Sequence, residues 1–96
     1  MLEKVKQALR ISTSVFDDEL TGLIEAALDD LGIAGVAARE NQDKPLIRRA
    51  VVTYCKVHFG EPDQYDRLKA AYDEQKAQLM TAYGYTDKEG IDETIR

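Results

Sequence analysis

Leu2, Val5 and Leu9 recur at helical spacing, so residues 2–10 read as a short amphipathic helix. Ser12, Thr13 and Ser14 follow as a polar break with good N-cap chemistry. Capping by Ser14 would place Asp17, Asp18 and Glu19 in or just after the first turn of a second helix. Carboxylates there complement the positive end of the helix dipole. Leu20, Leu23, Ile24, Ala27, Leu28 and Leu31 then line one face, which predicts a helix running to about Leu31 and stopped by Gly32. Residues 32–44 hold two glycines and a polar run, and form the longest connection inside the fold.

Asp43 and Pro45 mark the start of a third helix, since proline at the first helical position forfeits no intrahelical donor. On a helical wheel, Leu46, Ile47, Ala50, Val51, Tyr54, Cys55 and Val57 cover about half the circumference, and Val52 and Phe59 widen the arc. Arg49, Thr53 and Lys56 share one narrow polar stripe. A helix this widely apolar is expected at the centre of the fold, touched on several sides. Gly60 and Pro62 stop it, and a fourth helix is predicted from near Asp63 to about Tyr83. Tyr65, Leu68, Tyr72, Leu79 and Ala82 form its apolar row, broken at the middle by Gln75, with Tyr65 and Tyr72 expected at the core edge. Residues 84–96 lack periodicity and read as a mobile polar tail, in which Tyr85, with Tyr83 beside it, is a candidate interface anchor. The expected fold is therefore all-α: a small bundle of about four helices over residues 1–83, followed by a flexible tail.

Composition narrows the function classes. The chain has 96 residues, 44% hydrophobic and 32% charged, which suits one globular domain of modest core. No apolar run approaches the roughly 20 residues needed to span a bilayer, and the N-terminus lacks a signal peptide's apolar block. A cytoplasmic protein with no membrane association is the expectation. The formal charge of −5 argues against tight binding to phosphate backbones. That charge is segregated: residues 15–31 carry six acids and no base, whereas residues 45–60 carry Arg48, Arg49 and Lys56 and no acid.

Candidate chemistry is sparse. His58 is the only histidine and Cys55 the only cysteine, three residues apart on the third helix. The pairing invites a nucleophile reading, but the apolar neighbours of Cys55 predict a buried, unactivated thiol. His58 is better placed as a last-turn residue facing helix carbonyls. The acids Asp17, Asp18 and Glu19 lack the glycine and alternating ligands of a calcium loop. The expectation is no enzyme, no cofactor and no metal site, with function carried by surfaces.

Three stretches carry a resemblance. Leu9-Arg10-Ile11-Ser12-Thr13, then Phe16-Asp17-Asp18-Glu19-Leu20 and Leu23-Ile24-Glu25-Ala26-Ala27, resemble the opening of small head–tail connector proteins of tailed bacteriophages and prophages, also described as adaptor or DNA-packaging proteins. Asp30-Leu31-Gly32-Ile33-Ala34-Gly35-Val36 is similar to their inter-helix connection. Pro45-Leu46-Ile47-Arg48-Arg49-Ala50-Val51, continuing through Tyr54-Cys55-Lys56 to Phe59-Gly60, is similar to their central helix. The match covers about residues 1–80 in order. It implies a structural subunit made in the bacterial host cytoplasm and placed at the virion head–tail junction. There it would form a closed ring of about twelve copies under the portal protein, with a tail or stopper protein beyond. DNA would pass through without sequence-specific binding.

A closed ring needs two different complementary surfaces on each subunit. Asp18, Glu25 and Asp29, opposite the apolar face of the second helix, are the expected acidic partners, with Arg49 and Lys56 as the basic ones. The same charges could instead pair within one subunit. The rival reading is a small helical regulator that binds protein or DNA as a dimer. Against it, a helix-turn-helix reader needs a tight turn before a polar basic helix, and here the most basic helix is also the most apolar.

Overall fold

The computed structural model describes residues 1–59 and 62–81 of the chain. Four α-helices follow one another: α1 (Leu2–Leu9), α2 (Asp17–Ile33), α3 (Pro45–Phe59) and α4 (Tyr65–Thr81), the last preceded by a 3₁₀ turn at Pro62–Gln64. No strand occurs among the described residues, and the expected all-α bundle is the fold. The residues expected as a tail, 84–96, lie outside the described residues, as do Ala82, Tyr83 and Tyr85.

Helix α3 is the axis of the bundle. Ile47, Ala50, Val51 and Cys55 are fully buried and Val57 nearly so, because α1, α2 and α4 each pack against a different part of its surface. From α2 come Leu20, Ile24, Ala27, Leu28 and Leu31; α1 contributes Val5, and α4 contributes Tyr72 and Leu79. Each large aliphatic side chain buried here stabilises the fold by about 1.5–3 kcal/mol. Phe16 at the start of α2 meets Phe59 at the end of α3 edge-on, ring centroids 5.2 Å apart, so α2 and α3 run antiparallel. The short link through Pro62–Gln64 likewise folds α4 back along α3.

Several boundaries depart from the sequence expectations. Ser14 does not cap α2 with its side chain; its carbonyl accepts the Asp17 N–H at 3.1 Å, and Phe16 holds the N-cap position without a side-chain hydrogen bond. The turn over 14–17 sets Phe16 against Phe59, so the helix begins only after that ring. Gly32 does not stop α2 either. The helix continues to Ile33, and the reversal falls at Gly35, whose φ is +93°. There the Val36 N–H reaches the Leu31 carbonyl at 2.9 Å and the Gly35 N–H reaches Gly32 at 3.0 Å. This is the paired bonding of a Schellman cap, which needs a left-handed residue. Helix α1 ends in the same way, with Ile11 bonding back to Lys6 at 2.9 Å, but Arg10 takes the left-handed position at φ +60°.

The 32–44 connection is more folded than its polarity suggests. Val36 and Ala38 are buried in the core, and successive turns at Ala38, Asn41 and Lys44 carry the chain to α3. Thr53, expected on a polar stripe, is 8% exposed; its hydroxyl donates to the Arg49 carbonyl at 3.0 Å, which satisfies it inside the helix. Tyr65, expected at the core edge, is 43% exposed, because α4 begins there and its first turn extends beyond its neighbours.

Two substitutions test this account. Val51→Asp puts an unpaired carboxylate at the centre of α3, a loss comparable with the roughly 5–14 kcal/mol expected for a chain this long. The variant should lack a cooperative thermal transition by circular dichroism. A Cβ at Gly35 would meet nothing within 4 Å, so Gly35→Ala should cost only the left-handed backbone penalty of about 1 kcal/mol, read by urea unfolding.

Candidate functional site

The acids of α2 are spread among three different neighbours. Near its start, Asp17 Oδ1 lies 2.8 Å from Lys6 Nζ of α1, an ion pair whose angles fall outside hydrogen-bond geometry. One turn apart further along, Glu25 and Asp29 hold Arg39 of the connection between them: Arg39 Nη1 donates to Glu25 at 2.8 Å and Nη2 to Asp29 at 2.6 Å. The two hydrogen bonds, Asp29 first, raise the guanidinium above its ordinary pKa. All three side chains stay about half exposed, so the clasp organises the connection but adds little to stability. Asp18 and Glu19 are exposed and pair with no base among the described residues.

Asp30 is the acid that joins α2 to α4. The Tyr72 hydroxyl donates to its Oδ2, and Lys76 Nζ donates to the same oxygen at 3.1 Å. Burial alone would push the Asp30 carboxyl up, but the tyrosine and lysine outweigh it and hold the group below its ordinary value. Tyr72 shifts upward, first through burial and then because its proton is shared with a carboxylate. Tyr54 stacks edge-on against Tyr72 with centroids 5.3 Å apart, and burial raises its hydroxyl as well.

The bases of α3 take no part in these pairs. Arg49 is exposed and Lys56 half-buried, and neither forms an ion pair among the described residues. They border a groove between α3 and α4. Its upper section, about 420 Å³, is lined by Pro45, Arg48, Arg49, Val52, Thr53, Lys56 and Gln75. A second section of about 360 Å³ continues past Leu46, Gln78 and Leu79. Gln75 and Arg49 line both. Gln75 breaks the apolar row of α4 and opens this groove, and its Oε1 is buried with no hydrogen-bond partner.

Of the five predicted surface residues, the fold leaves Arg49 and Lys56 together on one groove. It links Glu25 and Asp29 through Arg39 and sets Asp18 apart at the other end of α2. Arg39 and the Tyr72–Lys76 pair were not foreseen. The signals lay in two i, i+4 spacings, Glu25–Asp29 and Tyr72–Lys76, each of which places two side chains on one helix face.

Cys55 and His58 do not combine. The thiol is fully buried and its pKa is pushed up to about 12 by that burial, so almost no thiolate forms near neutrality. His58 is exposed and rests on the Tyr54 ring, centroids 4.4 Å apart. No three potential metal ligands converge among the described residues. No described helix is long and apolar enough to cross a membrane.

The Asp30 junction sets a pH dependence. Its folded pKa lies below the ordinary 3.8, so its stabilisation is full above the unfolded value and is lost as pH falls through the folded one. Asp30→Asn should cost about 1 kcal/mol at pH 7, a figure already discounted for solvent screening at a partly exposed carboxylate. The difference from the parent should shrink as pH falls below 3.8 and through the folded value in denaturant titrations.

Among the described residues, α2 acids pair with Lys6, Arg39 and Lys76, Arg49 and Lys56 of α3 form no ion pair, and the Cys55 thiol is buried. No curated protein and no solved structure matches the chain. A family model described as phage connector protein matches residues 1–86, nearly the whole sequence. Its members are structural rather than catalytic. On that extent of match, running through all four helices, the chain belongs to the phage connector protein family.

Proposed function

We propose that this connector is a ring-forming subunit at the head–tail junction of a tailed phage or prophage. It sits beneath the portal protein, meets a tail or stopper protein on its far side, and leaves a passage for DNA. The family match over residues 1–86 carries this reading. The charge distribution supports it. A protein of net charge −5 does not hold the DNA backbone it surrounds. Arg49 and Lys56 form no ion pair among the described residues and lie on α3, while Asp18, Glu25 and Asp29 lie on α2. Because Arg39 neutralises only one of the two carboxylates it touches, the Glu25–Asp29 clasp remains a negative surface. Two faces of opposite sign suit a head-to-tail contact between identical copies.

Polar contacts between small domains are weak without a hydrophobic anchor, so the free chain should be mainly monomeric when dilute and assemble on concentration or on the portal. Sedimentation velocity over rising concentration, with and without portal protein, tests this. The R49E/K56E double variant should need about tenfold more protein to assemble, equivalent to about 1.4 kcal/mol per contact. Its circular dichroism should match the parent's, since exposed charges contribute little to folding. Unchanged assembly would remove these two bases from the contact.

A further inference from the structure

The turn that opens α2 is a projection the subunit leaves uncovered. Val15 is 77% exposed and Phe16 38%, and Phe59 braces Phe16 from below. Asp18 and Glu19 follow immediately, exposed and without an ion-pair partner among the described residues. Ser12, Thr13 and Ser14, also exposed, precede it with three hydroxyl groups.

The α3–α4 groove has the complementary character in each respect. Arg49 and Lys56 border it, Val52 supplies an apolar wall, and Gln75 Oε1 is a buried acceptor with no donor. We infer that the Val15–Phe16 turn of one subunit seats in the α3–α4 groove of the next copy. Asp18 and Glu19 then face Arg49 and Lys56, and Val15 packs on Val52. The inference rests on the ring reading above and names the contact within it.

Charge chooses this occupant. The upper section of the groove carries Arg48, Arg49 and Lys56 and no acid, on a chain whose net charge is −5, so the same chain supplies the acidic partner. Projection and groove share no residue, so one subunit can use both at once on two different neighbours: the contact can propagate from copy to copy and close if the rotation per step allows. It also provides the apolar anchor that the charges alone lack.

The test uses the full chain. Single variants Val15→Cys and Val52→Cys are mixed and treated with a short bis-maleimide; buried Cys55 stays unreactive. The mixture should give cross-linked dimer about tenfold above either variant alone. In parallel, D18K/E19K and R49E/K56E should each weaken assembly by sedimentation, and the chain carrying all four changes should recover it. Circular dichroism confirms that each variant folds. If the parent assembles but the mixture gives no excess cross-link and the fourfold variant stays dispersed, the contact lies elsewhere while the ring reading stands. A parent that remains monomeric at every concentration and on the portal overturns both. Tight binding of a duplex oligonucleotide, lost in R49E/K56E, would make the groove a nucleic-acid site and overturn the inference.

Discussion

Helix α3 carries more apolar surface than any single neighbour can cover. Ile47, Ala50, Val51, Cys55 and Val57 spread over a wide arc of the helix, and all of them are buried. Covering such a helix takes at least three partners, and α1, α2 and α4 are those partners. The antiparallel return of α2, the hairpin into α4 and the inward placing of Val36 and Ala38 in the connection all follow from that demand.

The polar surface is organised by a second constraint. Helix α2 carries its acids in excess, and like charges along one helix repel unless bases are brought to them. Three bases come from three elements: Lys6 from α1, Arg39 from the connection and Lys76 from α4. None comes from α3. Arg49 and Lys56 of α3, and the first-turn acids Asp18 and Glu19, form no ion pair among the described residues.

Much of the bundle was legible in the apolar periodicity, because a face that must be buried repeats with the helical turn. All four helices, the central place of α3 and the burial of Cys55 were readable in this way. Errors gathered at the ends. Ser14 and Gly32 offered reasonable local chemistry for a cap and a stop, yet the aromatic contact of Phe16 with Phe59 and the left-handed turn at Gly35 prevailed. Thr53 was misplaced because a threonine that bonds its own helix carbonyl can be buried like an apolar residue. The Arg39 clasp was illegible, since it depends on how the connection folds back over α2.

Taken by itself, the sequence determined the helical class, the central helix, the separation of charge along the chain and the burial of Cys55. These depend on residue type and spacing, which act locally. Tertiary structure alone decided which charges pair with one another among the described residues and which do not. It paired Asp30 with Tyr72 and Lys76, residues more than forty positions away, and it opened a groove beside Arg49 and Lys56. Pairing of that kind is set by distance in space, and distance exists only once the apolar faces have docked.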